Sequence, residues 1–313
     1  MSKPWILVSP ASRGIGHALT RHLLRTTSAP ILATARTDLP GLRASVLDDL
    51  YPPSPHESTR EKNEAAIASA SERLHVARVD VADEATLESA SADAARLFPP
   101  ETHHLRLAFA LPGVLYSEKS PRDIDAARAL HTFQVNALGP LLLMKWFGSF
   151  LPRKSAATSA PAAEPLIFNP DTSISKPTFA SSSSSSGSSS GGGSKGGPRH
   201  ATWLTASARV GSTADNRLGG WYTYRASKAG VNSLTRTFDH HLRARSGDAA
   251  AAIAYHPGTV RTGLSREFWD RVPAGQLFDP QHAVERMLEV VRTRNVETDR
   301  GRCWDHRGEE VLP

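Results

Sequence analysis

The chain has 313 residues, 39% apolar and 22% charged, which suits one large α/β domain or two small ones and excludes a disordered or fibrous protein. Its net charge of +6 comes from basic residues scattered along the chain with no Lys/Arg block, which argues against a nucleic-acid or anionic-membrane surface and suits a phosphate-rich cofactor. The single cysteine, Cys303, excludes an internal disulfide and fits a reducing, cytoplasmic setting, and no apolar run approaches the roughly 20 residues needed to cross a bilayer.

In chain order, short apolar runs alternate with segments of helical period. Residues 5–9 (WILVS) read as a buried strand, and 14–25 as a helix with Ile15, Leu19, Leu23 and Leu24 at helical spacing. Residues 31–35 (ILATA) are a second strand. Residues 40–72 exceed what one crossover needs. Pro52, Pro53 and Pro55 mark part of them as loop, with helix around 59–72. A third strand is expected at 74–79, a helix at 84–97 and a fourth strand at 105–111. A long helix over 123–150 should break near Gly139-Pro140. Residues 152–200, almost pure Ser/Gly between 181 and 197, bury too little apolar surface to fold and read as a disordered surface insert. The rhythm resumes with a strand at 201–206, a helix at 221–244, a strand at 250–255, a helix at 281–293 and a closing strand near 301–304. Such alternation predicts one α/β domain over residues 1–313, with a mostly parallel sheet covered on both faces.

Between the first strand and the first helix stands Ser9-Pro10-Ala11-Ser12-Arg13-Gly14-Ile15-Gly16. Glycines there let a backbone approach a pyrophosphate, and the helix N-terminus offers free N–H groups and partial positive charge. Ser9 and Ser12 can add hydroxyls. After the second strand, an acidic residue would hold a ribose 2′-hydroxyl. Ala35-Arg36-Thr37 stands there instead, and Arg36 with Arg13 can grip a 2′-phosphate, which favours NADP(H) over NAD(H). Asp38 lies too far along the loop for the usual ribose position.

Tyr224 and Lys228 in Tyr224-Arg225-Ala226-Ser227-Lys228 share one helix face. A free tyrosine has a pKa of about 10. A neighbouring ammonium lowers it, so the pair can exchange a proton as acid in reduction and base in oxidation.

With these motifs the sequence resembles the short-chain dehydrogenase/reductase family, over nearly all of the chain outside 40–72 and 152–200. The resemblance implies a Rossmann-type doubly wound sheet and a catalytic set of Ser207, Asn136, Tyr224 and Lys228. Ser207 would hold the substrate oxygen. Asn136, in Gln134-Val135-Asn136-Ala137, would support a water leading to Lys228, which would also hold the nicotinamide ribose. Asp80 and Val81 stand at the adenine position. Pro257, Gly258, Val260 and Thr262 match the segment that fixes the nicotinamide amide. The stretch from Ser207 to Lys228 and the ending Trp304-Asp-His-Arg-Gly-Glu-Glu look like the subgroup that includes C-factor and C-signal proteins. Two departures stand out. Pro10 replaces a glycine and removes an N–H from the phosphate loop. Of the family's Asn-Asn-Ala-Gly after the fourth strand, Ala110-Leu111-Pro112-Gly113 keeps only Gly113.

The expected function is NADP(H)-dependent interconversion of a small-molecule carbonyl and a secondary alcohol, with ketone or aldehyde reduction the leading direction. The alternative is a cofactor-binding signalling protein with little turnover. No metal, nucleic acid or membrane is expected to take part. The family often pairs through the middle helix and the Tyr224 helix, but here the insert adjoins that region, so a homo-oligomer and a monomer both stay open. Phe268, Trp269 and Val272 serve equally well as an apolar cover over substrate or as packing against the sheet.

Overall fold

The computed structural model describes residues 2–52, 56–154 and 200–313. The first half of the described chain runs β1 (Lys3–Ser9), α1 (Gly14–Thr26), β2 (Ile31–Ala35), α2 (Leu39–Leu47), α3 (Glu57–Arg73), β3 (Leu74–Arg78), α4 (Glu84–Leu97), β4 (His103–Ala110), α5 (Ala126–Phe133) and α6 (Gly139–Phe147). The second half runs β5 (Ala201–Ala206), α7 (Tyr222–Ser246), β6 (Ala250–His256), β7 (Thr259–Val260), β8 (Leu277–Phe278), α8 (Pro280–Thr293), β9 (Cys303–Asp305) and β10 (Glu310–Val311).

Eight strands form one sheet in the order β10-β9-β6-β5-β4-β1-β2-β3. All pairings are parallel except β10 with β9. The strands read as continuous apolar runs because both faces are buried. On β1, Ile6 and Val8 join a core with Leu19, Leu23, Leu42 and Val284 from α1, α2 and α8. Their neighbours Trp5 and Leu7 point the other way, into a core with Leu87, Leu143, Phe147 and Leu242 from α4, α6 and α7. The chain moves outward from β1 to β3 and returns to β4 on the other side of β1. That reversal opens a crevice at the carboxyl ends of the strands, where a doubly wound sheet binds ligands.

The expected six main strands are all present, and the closing strand falls at Cys303–Asp305. The two-residue strands β7 and β8, which pair in a ribbon of their own, carry no periodicity long enough to read. Helix α2 was not expected. Asp38 starts it, its carboxylate accepting from Gly41 N at 2.9 Å, and Pro40 suits the first turn. The long middle helix divides as expected, but the irregularity precedes Gly139-Pro140: residues Gln134–Leu138 form a π turn between α5 and α6. The Ser/Gly-rich tract, read as an insert over 152–200, lies outside the described residues except at its ends. There Lys154 N donates to Arg245 O, and His200 is buried next to β5. Among the described residues, no helix is long and apolar enough to cross a membrane, and no cluster of His, Cys, Asp and Glu is able to hold a metal ion.

Candidate active site

The loop after β1 is stitched to its neighbours. Ser9 O accepts from Leu111 N after β4 at 2.6 Å, and Ala11 N donates to Thr34 O on β2 at 2.7 Å. Helix α1 then starts at Gly14, whose φ of +57° favours glycine. At Gly16 a Cβ would lie 1.9 Å from Pro10 O, so the loop can fold over the helix start only without a side chain. By helix geometry the first amides of α1 have no partner within it and face the crevice mouth.

Two cavities meet above this loop. The inner one, of about 970 Å³, lies over the ends of β1, β5 and β6, and the outer one, of about 610 Å³, over the ends of β1, β2 and β3. Both are bounded by Arg13 and Gly113, so together they form one elongated crevice. Ser9, Ser12, Arg36, Asp80 and Val81 line the outer cavity. Gly14, Ile15, Gly16, Ser207, Tyr224, Lys228, Pro257, Gly258, Val260 and Thr262 line the inner one. Asn136 lines neither.

In the outer cavity Arg13 and Arg36 are exposed at the rim. Asp38 also faces it, but its carboxylate is engaged in capping α2. Asp80 accepts from Ala82 N at 3.0 Å, and the Ser9 hydroxyl, buried, accepts from Thr34 Oγ1 at 2.8 Å. At the boundary, Gly113 forms the floor. A Cβ there would stand 4.0 Å from both Asn136 Oδ1 and Lys228 Nζ, and so would fill the space above them.

In the inner cavity, Tyr224 and Lys228 emerge from the first two turns of α7, with the ammonium 5.8 Å from the centre of the phenol ring. Gly211 makes this packing possible, since a Cβ there would press within 2.9 Å of Lys228. Lys228 Nζ donates to Ala206 O at 2.8 Å and is buried, which pulls its pKa down to about 8. Burial pushes the Tyr224 phenol up to about 12, opposite to the lowering that the sequence suggests. Desolvation of the phenolate outweighs the ammonium, which is itself desolvated.

The Ser207 hydroxyl donates to Asn232 Oδ1 at 2.6 Å, one turn beyond Lys228 on α7. Asn232 Nδ2 is buried and has no partner. Turning the amide over lets Nδ2 donate to Ser207 Oγ and frees the serine proton for the cavity. Asn136 sits in the π turn, fully buried. Its Oδ1 accepts from Val114 N at 2.8 Å, and its Nδ2 donates to Val114 O at 2.9 Å. It therefore clamps the backbone next to Gly113. Gly258, at φ +75°, packs against Phe278 and His306, and Thr262 packs against Gly14, so the β7 segment closes over the glycine loop.

Residues in and behind the cavity wall carry no signal of their own in the sequence. Trp221 stands immediately before α7 with φ +50°, its ring edge-on to Tyr224 at 6.1 Å and against Phe268 at 4.9 Å. Glu118, buried, accepts from Thr223 N and Thr223 Oγ1, both at 2.8 Å, and its backbone oxygen accepts from Trp221 N. The two glycines at 219 and 220, both with positive φ, were the available signal that the chain turns sharply here. Of the three expected cover residues, Phe268 and Val272 line the cavity. Trp269 does not; its Nε1 donates to Ser265 Oγ and Arg261 lies over its ring.

This arrangement has relatives. No family model matches the chain. It is 44% identical over 62 residues to 1-hydroxy-2-glutathionyl-2-methyl-3-butene dehydrogenase of Rhodococcus sp. (strain AD45), which is 20% of this chain and 26% of that protein. It is 35% identical over 105 residues to C-signal of Myxococcus xanthus, 34% of this chain and 57% of that protein. The chain thus spans about a quarter and just over half of these two curated relatives. Among solved structures, the NADPH-bound carbonyl reductase from chicken fatty liver superposes with a TM-score of 0.67 at 20% identity, over 100% of both chains. A short-chain dehydrogenase/reductase from Burkholderia multivorans with bound NADP gives 0.61 at 19% identity, over 99% of this chain and 100% of that one.

The chain has the short-chain dehydrogenase/reductase fold. The Rossmann-type doubly wound sheet that the motifs lead one to expect is therefore present. Within that fold, Pro10 costs the loop one N–H, but Ala11 N is already committed to β2. The amides at the start of α1 are left without a partner inside the helix.

Proposed function

We propose that the protein is an NADP(H)-dependent oxidoreductase that reduces a ketone or aldehyde to an alcohol. The observation that carries this reading is the placement of Tyr224 and Lys228 in the inner cavity, facing the glycine-loop residues 14–16 and Thr262 across a space continuous with the Arg13–Arg36 rim.

The crevice fits a dinucleotide phosphate. The open floor at Gly113 leaves room for a ring above Asn136 and Lys228, and the outer rim offers two guanidinium groups. Arg13 and Arg36 would hold the 2′-phosphate, Ser12 and the first amides of α1 the pyrophosphate, and Asp80 and Val81 the adenine. Pro257, Gly258, Val260 and Thr262 would hold the nicotinamide end. When bound, NADPH supplies the hydride that goes to the carbonyl carbon.

The chain's own residues handle the proton. Tyr224 gives its phenolic proton to the carbonyl oxygen, and solvent restores it, so each turnover consumes one NADPH and one proton per alcohol formed. A phenol held near 12 keeps that proton across the neutral range, which suits reduction. Lys228 would stabilise the phenolate left behind and would hold the ribose. Ser207, with its proton freed by the turned Asn232 amide, positions the substrate oxygen. Asn136 fixes Val114 and hence the floor.

Similarity to C-signal supports a second reading, a cofactor-binding signalling protein with little turnover. Tyr224→Phe separates the two. The enzyme reading expects NADPH-dependent reduction to fall about 10²- to 10⁴-fold, the usual worth of a general acid, with NADPH affinity kept. A variant as active as the parent on a carbonyl panel would overturn the proton-transfer role.

A further inference from the structure

The inner cavity carries more positive charge than proton transfer needs. Arg13, Lys119, Arg209, Lys228 and Arg271 line it, and no aspartate or glutamate does among the described residues. Three of these cations have other work. Arg13 belongs to the glycine loop and also borders the outer cavity. Arg209 is paired with Asp215 at 3.2 Å and Asp305 at 2.7 Å. Lys228 is buried against Ala206 O. His256 adds no charge, because burial holds it near 3.

Lys119 and Arg271 remain. Both are exposed, and neither is ion-paired among the described residues. They come from segments about 150 positions apart, yet both are tied to one aromatic wall. Lys119 follows Glu118, whose backbone oxygen accepts from Trp221 N at 2.6 Å. Arg271 ends the helical turn Arg266–Arg271 that carries Phe268. Trp221 and Phe268 meet at 4.9 Å, and Trp221 stands edge-on to Tyr224. Beside the phenol the cavity thus offers an aromatic surface, and Lys119 and Arg271 are the exposed cations of its lining that form no ion pair among the described residues. The Glu118 carboxylate is bonded to Thr223, and the acid beside Lys119 is Asp123, which lies outside the cavity and accepts from Lys119 N at 3.0 Å and Ser120 N at 2.8 Å, so it offsets the lysine only in part.

We propose that the substrate is an aromatic or other bulky apolar carbonyl compound bearing a carboxylate, with Trp221 and Phe268 packing its body and Lys119 and Arg271 holding the anion. This specificity rests on the carbonyl-reductase reading of the same cavity. Arginine's fork suits a carboxylate, and lysine adds a point charge. At a solvent-exposed mouth the two together are worth about a tenfold preference over a neutral isostere.

The test uses the full chain with NADPH and two probe series of increasing spacer length. The first is (4-formylphenyl)alkanoates and their primary amides, followed by NADPH consumption. The second is (4-methylphenyl)alkanoates and their amides, which carry no carbonyl to reduce, followed by calorimetric binding with the oxidised cofactor present. At the best spacer the carboxylate should exceed the amide about tenfold in both kcat/KM and affinity. That ratio should approach one in Lys119→Gln/Arg271→Gln, and also in wild type at about 0.5 M salt. Amides equal to or better than carboxylates at every spacer would overturn the proposal, as would a preference that survives the double substitution. If the binding preference appears while no aldehyde is consumed, the anion site stands and the reductase reading falls.

Discussion

Replacing Glu118 by alanine tests whether the catalytic helix is held from outside itself. The carboxylate is buried and accepts two hydrogen bonds from Thr223, one from its amide and one from its hydroxyl. Thr223 is the second residue of α7, adjacent to Tyr224, and no side chain within the helix caps this end. Hydrogen bonds to a charged group are worth about 1.5–3 kcal/mol each, and partial resolvation of the freed groups sets the sum near the low end, about 3–4 kcal/mol. For a domain of this size that is a melting-temperature loss of about 6–12 °C. Glu118→Gln should lose far less. Its Oε1 can still accept from Thr223 N while Nε2 donates to the Thr223 hydroxyl, leaving mainly the charge–dipole part, about 1 kcal/mol. Because Tyr224 moves with Thr223, the alanine variant should also lose kcat while its KM for NADPH stays near the parent value. Thermal melts and steady-state kinetics on the three proteins decide the matter. An alanine variant melting within about 2 °C of wild type, or a glutamine variant as damaged as the alanine one, would refute the reasoning.

Two further outcomes follow from the crevice. Arg36→Asp should lower kcat/KM for NADPH by about 10²-fold, through loss of a charge-assisted bond and added repulsion, and leave NADH little affected; an unchanged ratio of the two cofactors would show that Arg36 does not reach the 2′-phosphate. The pH profile of reduction should bend downward near pH 8, where Lys228 loses its proton, while Tyr224 keeps its own to about 12. The sign also governs stability. The pKa of Lys228 is lowered on folding, so the penalty for burying its charge is full below about 8 and is relieved as pH rises toward its ordinary 10.5. A kcat profile at saturating NADPH that is flat past pH 9.5, roughly midway through that window, would contradict this assignment.

Much of the architecture could be read along the chain because the strands are apolar on both faces and the helices on one. Ile6, Leu7 and Val8 run together in the sequence and divide between two cores in the structure. Gly14 and Gly16, and the pair Tyr224 and Lys228, are local patterns, and local patterns survive in one dimension. What escaped notice depends on distant partners. Glu118 finds Thr223 105 positions away. Lys119 and Arg271 look like ordinary surface charges until Trp221 and Phe268 bring their segments together. Asp38 lies too far along the loop for the usual ribose position, and the structure gives it the start of a helix that Pro40 and the weak amphipathicity of 39–47 conceal. The environment of Tyr224 is hidden for a related reason. Spacing shows which groups are neighbours but not how much water surrounds them, and burial decides the direction of its shift.

The strand of chain leaving β4 has a wider consequence. Within six residues it supplies the floor at Gly113, the Val114 backbone gripped by Asn136, and the Glu118 carboxylate that anchors α7. One short span thus links the floor of the crevice to the helix that carries Tyr224, the proposed proton donor. Under the proposed function, a change that shifts the whole span to admit a larger ketone would disturb coenzyme retention at its Gly113 end and proton delivery at its Glu118 end. Adaptation to new substrates has a freer hand between Leu264 and Val272, which meets that link only indirectly, through Phe268 against Trp221.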